Sequence, residues 1–220
     1  MKVEIWSDVV CPFCYIGKRR FEQALEEFQY AKDVELEWKS FQLSPQAETN
    51  PNQNINQFLA QHKGISVDEA RKMHEYVTNM ATGVGLEYNF DKTVVANTFN
   101  AHRMLHFSKK HGLQRETKER ICLAYFTEGK NIDDMDTLIE LGEEVGLEGK
   151  ALRESLQTKE YSNDVIGDVV EAQQLGIRGV PFFVFDRKYA VSGAQDSRVF
   201  LETLERSFSE WKTGKSSIRT

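Results

Sequence analysis

Membrane-spanning segments, a secretory leader and a cysteine-rich framework are all missing from this sequence. It holds no uninterrupted apolar stretch of about 18 residues, the minimum for crossing a bilayer, so we expect no membrane partner. The N terminus lacks the apolar run that precedes a signal-peptide cleavage site, which predicts a cytoplasmic protein. Three cysteines among 220 residues are too few for a secreted disulfide scaffold.

An excess of positive charge is also missing, and this narrows the range of partners. The formal net charge is −6, and the short basic stretch 109–111 fits the end of a helix. We therefore expect no nucleic-acid partner. The hydrophobic fraction of 40% is sufficient for a packed core, and 220 residues suit a large domain or a core domain with an insertion.

The hydrophobic pattern at the two ends of the chain indicates strands, whereas the middle indicates helices. Val3 and Ile5 lie on a half-buried first strand, and a helix begins near Pro12. The segment 34–43 predicts a second strand with a bulge near residues 39 and 40, and this strand–helix–strand order favours a parallel crossover.

Strand character returns only near the C terminus, at 181–185 and 189–191, where a short polar connection predicts a hairpin before a last helix. Two strands rarely form a stable sheet alone, so both ends of the chain are expected to share one sheet. The prediction is an α/β fold in which residues 1–50 and 176–213 form one discontinuous domain. Residues 51–175 form an inserted helical domain, with helices predicted at 94–111 and 115–128 among others, and 214–220 a polar tail.

Cys11 and Cys14 form the most informative motif, Cys-Pro-Phe-Cys, on the first turn of the first predicted helix. Side chains three positions apart on a helix lie on the same face, so the two sulfurs can close a disulfide. Unpaired N–H groups and the helix dipole at the amino end favour a thiolate at Cys11. We therefore expect Cys11 to form the mixed disulfide and the more buried Cys14 to resolve it.

A zinc site or an incidental pair is the alternative interpretation of these cysteines. Zinc needs four ligands, usually from two closely spaced pairs, and no second Cys-x-x-Cys follows. His102 and His106, four positions apart on a predicted helix, could complete such a site. Cys122 falls among core positions of another helix, where a free cysteine packs as a small hydrophobe.

Val180-Pro181, just before the third predicted strand, is the second candidate feature of the site. A proline at the start of a strand cannot donate to the sheet and often marks a special peptide bond. A cis bond here would leave the Val180 backbone free to pair with an extended substrate. An ordinary trans proline is the alternative.

Together these motifs resemble the DsbA family of the thioredoxin superfamily. The stretches 6–18 (WSDVVCPFCYIGK), 98–103 (TFNAHR) and 176–183 (GIRGVPFF) are similar to its FrnE-like cytosolic branch. The resemblance covers nearly the whole chain. It implies a thioredoxin-like fold with a large inserted helical domain, and dithiol–disulfide exchange with protein clients or glutathione. No cofactor is implied, apart from glutathione as a co-substrate.

The same superfamily branch contains kappa-class glutathione transferases and hydroxychromene-carboxylate isomerases, which typically carry serine at the position of Cys11. Retention of both cysteines favours redox exchange, and glutathione-dependent transfer through Cys11 remains the alternative. A non-catalytic redox-sensing or binding module is a third possibility. Phe13 replaces the histidine of periplasmic DsbA and cannot stabilise a thiolate by charge, so we predict a less oxidising pair.

The remaining site predictions concern substrate contacts. Phe13 and Val180, together with Trp6 and Tyr15, are expected to offer apolar surface to unfolded or extended clients. Asn100 and His102 share one helix of the insertion, where either could bind glutathione or a leaving thiolate. The alternative is that both side chains have a purely structural role at the interface between helices.

Overall fold

A four-stranded mixed sheet forms the centre of the computed structural model, which describes residues 1–216, the last two by their backbone alone. The strands are β1 (Lys2–Ser7), β2 (Glu35–Ser40), β3 (Phe182–Phe185) and β4 (Tyr189–Ser192), in the order β2-β1-β3-β4. β1 pairs parallel with β2 and antiparallel with β3. The predicted union of both chain ends in one sheet is therefore confirmed.

Helices cover the sheet and fill the segment between β2 and β3. They are α1 (Pro12–Glu27), α2 (Ile55–Lys63), α3 (Val67–Thr82), α4 (Phe99–Lys110), α5 (Gln114–Leu123), α6 (Met135–Glu144), α7 (Gly149–Gln157), α8 (Ser162–Gln174) and α9 (Ser197–Ser216). Within the described residues, none of them combines the length and apolarity that a membrane crossing requires. This architecture confirms an α/β, thioredoxin-like fold with a helical insertion, while the domain boundaries remain a prediction.

α1 joins two hydrophobic clusters along its length. Its C-terminal half packs with β1, β3 and α9 through Phe21 and Ala24. Tyr15 and Ile16, in its first half, join the cluster built by the inserted helices. α1 is therefore held by both parts of the fold.

The predicted bulge in the second strand is wrong. β2 pairs with β1 in unbroken register up to Ser7↔Ser40 and ends there. Beyond that point a side chain replaces the backbone pairing of the sheet, because Asp8 Oδ2 accepts a hydrogen bond from the Leu43 amide at 2.8 Å. The apolar pattern at Phe41 and Leu43 thus belongs to a loop, not to a strand.

Three helix ends also differ from the sequence prediction. The helix expected from residue 94 begins at Phe99, because Val95 and Asn50 pair through their backbones first. The helix expected over 115–128 spans Gln114–Leu123 and continues as a π-helical turn, Ala124–Glu128. The predicted polar tail is helical as far as Ser216, and its residues 217–220 lie outside the described part of the chain.

Candidate active site

Cys11 and Cys14 occupy the amino end of α1, as the motif predicts. Cys11 is the residue that caps the helix, with an extended backbone (φ −86°, ψ 113°), and Pro12 fills the first helical position. Proline suits this position because its missing N–H would have no partner there. The Cys14 amide donates to the Cys11 carbonyl at 3.0 Å, so the first turn closes over the pair. Both are free thiols and both are buried, with 4% and 0% of their surface exposed.

The two thiols lie close enough to interact, but their surroundings make Cys14 the harder one to ionise. Burial raises the pKa of the Cys14 thiol well above its ordinary value, and the hydrogen bond and charge of Cys11 raise it further. The charge of Lys118 and the Ser7 hydroxyl act in the opposite direction. An arrangement of this kind suits an attacking sulfur at the helix end and a second sulfur held in reserve behind it.

The segment before β3 faces the cysteine pair across the edge of the sheet. The Cys11 Sγ lies 3.7 Å from the Val180 carbonyl oxygen, within hydrogen-bond range for sulfur. The Val180–Pro181 peptide bond is cis, and Pro181 itself is buried. Val180 is half-buried, so part of it stays open to a partner.

Gly17 permits this close approach, and the sequence analysis did not identify it. A Cβ atom at this position would lie 2.9 Å from Cγ of Pro181, which is closer than van der Waals contact allows. Glycine in mid-helix is unfavourable by itself, so its presence one turn after Cys14 indicates a steric requirement. A glycine inside a helical pattern was the signal in the sequence that could have identified this close contact.

Asp8 organises the loop between β1 and α1. Its carboxylate accepts hydrogen bonds from the Val9 and Leu43 amides, both at 2.8 Å, and its own carbonyl accepts from the Cys11 amide at 3.4 Å. His102 Nε2 lies 3.2 Å from Asp8 Oδ1. Both side chains are 1% exposed, so His102 reaches the cysteine loop from within the core through Asp8.

Asn100 lies on the first turn of α4 and belongs to another network. Its amide group donates to Asp133 at 3.0 Å and its carbonyl oxygen accepts from Arg103 at 2.9 Å. The structure therefore brings Val180 and, through Asp8, His102 to the cysteine loop, whereas the contacts of Asn100 join α4 to the segment before α6.

Two of the four side chains expected to form an apolar client surface are buried instead. Phe13 is 39% exposed, next to Cys11, but Trp6 and Tyr15 are 0% and 2% exposed. The Trp6 indole donates to the Asp168 carbonyl at 3.0 Å, and the Tyr15 hydroxyl donates to Glu119 at 2.5 Å. Both rings are thus part of the core, and each has a hydrogen-bond partner for its polar atom.

Lys118 is the second site residue that the sequence analysis missed. It is 1% exposed on α5, and its charge acts on Cys14 although 104 positions separate the two in the chain. Nothing in the sequence distinguishes it from the surface lysines around it, because long-range proximity leaves no local signal.

Cys122 lies on the same helix with 1% of its surface exposed, in the cluster of the inserted helices. Burial raises the pKa of its thiol to about 11, so it is an inert packing side chain. The described residues contain no group of three or more His, Cys, Asp or Glu side chains placed to hold a metal ion.

A thioredoxin-like sheet, with two cysteines on the first helical turn facing a cis-proline segment, defines a dithiol–disulfide oxidoreductase. Residues 2–205 match the DSBA-like thioredoxin domain family, and the chain belongs to that family. It is an enzyme of the disulfide oxidoreductase class, and its assignment to the FrnE-like branch remains a prediction.

Known relatives agree with this membership. The chain is 36% identical to the probable DsbA oxidoreductase SCO1869 of Streptomyces coelicolor, with a TM-score of 0.89 over 96% of this chain and 91% of that one. It is 32% identical over 203 residues to the uncharacterized protein YwbO of Bacillus subtilis, covering 90% of this chain and 92% of that protein. The cytosolic disulfide reductase DsbM of Pseudomonas aeruginosa, 16% identical with a TM-score of 0.65 over 98% and 99% of the two chains, shares the fold.

Proposed function

We propose that this protein exchanges disulfides with protein or small-thiol substrates through a Cys11/Cys14 redox pair. In reduction, the Cys11 thiolate attacks a substrate disulfide and releases one substrate sulfur as a thiolate. Cys14 then attacks Cys11, forms the Cys11–Cys14 disulfide and releases the second substrate sulfur. Oxidation of a substrate dithiol follows the same steps in reverse.

The contact between Cys11 and the segment before β3 supports this proposal most directly. The 3.7 Å approach of the Cys11 sulfur to the Val180 carbonyl puts the reactive atom beside a stretch of backbone that precedes β3. An extended substrate that pairs with this backbone would present its own sulfur to Cys11. Phe13, exposed at the same edge, would contact the apolar residues of such a client.

Glutathione is the small thiol that we propose as a co-substrate. The fold neighbour DsbM, named as a cytosolic disulfide reductase, has been solved with glutathione. We propose the cytoplasm as the location, where glutathione would return Cys11 and Cys14 to the dithiol form. Asn100, which is partly exposed, stays a proposed contact for this substrate, and His102 is proposed to act on it indirectly through Asp8.

Insulin reduction coupled to glutathione tests the proposal, with Cys14→Ser and Cys11→Ser as a matched pair. Wild-type protein should accelerate the reduction. Cys14→Ser should accumulate covalent complexes with insulin or glutathione, visible by mass spectrometry, because it forms the mixed disulfide and cannot resolve it. Cys11→Ser should form none.

Equal turnover by Cys14→Ser and the wild type would contradict the proposal, since a one-cysteine mechanism with glutathione needs only Cys11. Thermal unfolding of both reduced variants serves as the control. Serine is close in size to cysteine, so neither substitution leaves a large cavity. Both variants should therefore unfold near the wild-type temperature.

A further inference from the structure

Lys118 is a buried lysine whose charge no carboxylate balances within residues 1–216. Its side chain is 1% exposed and its Nζ has no hydrogen-bond partner there, and no ion pair reaches it. A buried ammonium group is costly unless an anion or strong acceptors surround it. Its retention in the core therefore calls for a partner that becomes negative during the reaction.

The position of Lys118 follows from the way α5 is anchored on both sides. Gln114 hydrogen-bonds the backbone of Trp38 through both ends of its amide, at 3.1 and 3.0 Å. Glu119 bonds Tyr15 of α1 at 2.5 Å. Lys118, four residues after Gln114, lies on the same face of α5 and points inward, with Nζ 5.6 Å from the centre of the Trp38 ring.

The packing of α5 on α1 brings Lys118 to Cys14. Glu119, the residue after Lys118, bonds Tyr15, the residue after Cys14, and Lys18, one turn further along α1, at 2.5 Å each. Cys14 is therefore the thiol in this region that can become an anion during the reaction. This thiol is fully buried, and burial raises its pKa, while Lys118 and the hydroxyl of Ser7 lower it. Three further titratable groups act electrostatically with Cys14, namely Cys11, Cys122 and Tyr88, and the charge of Lys118 also lowers the pKa of Cys122. Burial raises the pKa of both Cys122 and Tyr88, so these two are neutral at physiological pH and offer no positive charge.

We propose that Lys118 is the charge partner of the Cys14 thiolate and thereby sets the rate at which the mixed disulfide is resolved. The inference rests on the proposed function. In this step the ionised Cys14 sulfur attacks Cys11, the Cys11–Cys14 bond forms and the bond from Cys11 to the substrate sulfur breaks. The substrate sulfur leaves with the electron pair, and the proton lost by Cys14 ends on it. No electron is gained or lost overall.

Reaction of the reduced protein with 5,5′-dithiobis(2-nitrobenzoate) separates the two cysteines in time. Attack by Cys11 releases the first equivalent of thionitrobenzoate, and attack by Cys14 on the resulting mixed disulfide releases the second. All proteins carry Cys122→Ala, so that the third thiol contributes nothing. Stopped-flow absorbance from pH 5 to pH 10 gives each rate as a function of pH.

Lys118→Met should slow the second release at least tenfold at pH 7 and move its pH midpoint upward, while the first release changes less than twofold. Lys118→Arg, which keeps the charge, should restore most of the rate. Thr117→Val is the matched control, because it removes a neighbouring buried polar atom without a partner and should leave both releases unchanged. If Lys118→Met does not fold, Lys118→Gln replaces it with the same expectation.

A second release from Lys118→Met or Lys118→Gln with the wild-type rate and pH profile would overturn the inference while leaving the proposed function intact. Equal slowing by Thr117→Val would assign the effect to packing and overturn it as well. Release of a single equivalent by the wild type, with no Cys11–Cys14 disulfide, would instead refute the proposed function itself.

Discussion

The two halves of α1 have opposite surroundings. The inward face of the second half lies in an aromatic core, where the ring of Phe21 packs against Phe183, Phe185 and Phe200 at centroid distances of 5.3, 6.1 and 5.6 Å. The first half is equally buried but faces hydroxyls, charges and thiols. Tyr15 and Lys18 both bond Glu119, at 2.5 Å each, and the charge of Lys118 lowers the pKa of Cys14.

This difference shows how the fold separates stability from chemistry along one helix. Aromatic packing fixes the helix axis without any titrating group, so its contribution does not depend on pH or redox state. The polar half can then pack against an unpaired buried group, the Lys118 side chain of α5, whose cost the aromatic half offsets. Variants in the two halves should therefore differ in what they change.

Phe21→Ala should give the largest loss of stability, because Phe21 is fully buried among three aromatic rings. The free energy of unfolding should fall by about 3–5 kcal/mol, measured by urea denaturation. Per folded molecule, the reaction rate of Cys11 with a disulfide reagent should remain within about twofold of wild type. Phe13→Ala, which truncates an exposed ring, is the control and should cost less than about 0.5 kcal/mol. A large change in Cys11 reactivity in Phe21→Ala would show that stability and chemistry are not separated along α1.

Gly17→Ala should affect both halves, since Gly17 lies between them and abuts Pro181. The added methyl forces the helix and the proline segment apart, with an expected cost of about 1–3 kcal/mol and slower disulfide exchange. Gly167→Ala is the matched control on α8, where a Cβ meets nothing within 4 Å. It should raise the stability by about 0.5–1 kcal/mol. Equal behaviour of the two variants would show that Pro181 exerts no steric demand on α1.

Glu119→Gln should reveal the ionic character of the first half as a pH dependence. Burial alone would raise the pKa of Glu119, but the charge and hydrogen bond of Lys18, the hydrogen bond of Tyr15 and the charge of Arg19 lower it below its ordinary value. A lowered pKa in the folded state stabilises the protein fully above the unfolded value, about 4.3, and this stability is lost as the pH falls through the folded value.

The unfolding temperature of wild-type protein should therefore drop more steeply below about pH 4.5 than that of Glu119→Gln. Glu116→Gln, exposed on the same helix, is the control and should follow the wild type. Parallel curves for Glu119→Gln and wild type would show that the ionic cluster adds no net stability.

Cys122→Ala should have the smallest effect of all. It lies in the same polar neighbourhood as Cys14, but with a pKa of about 11 it stays protonated at neutral pH. Disulfide exchange should remain at the wild-type rate, with a stability loss of no more than about 1 kcal/mol. Loss of activity in Cys122→Ala would show that residues away from the start of α1 also take part in the reaction.

The sequence predicted the parts of the site that are close together in the chain. Cys11 and Cys14 share one helical turn, and the proline before β3 is marked by its own chemistry, so both were visible from local spacing. Helix starts with side-chain caps were also predictable, as in the capping box of Ser66 and Glu69.

Features that depend on contacts between distant segments were not predictable. The end of β2 is set by Asp8, which takes the Leu43 amide from a different loop. The position of Lys118 depends on the hydrogen bond that anchors α5 to β2, and Trp6 is buried with its indole bonded to the backbone of α8. In each case a tertiary hydrogen bond overrode the local pattern.

Equilibration of the protein with glutathione redox buffers, followed by trapping and mass analysis of each cysteine, tests the central claim most directly. The account predicts one reversible two-electron transition that joins Cys11 to Cys14, with a reduction potential below the value of about −120 mV known for periplasmic DsbA. Persistent glutathione on Cys11 with no Cys11–Cys14 disulfide at any buffer ratio would contradict it.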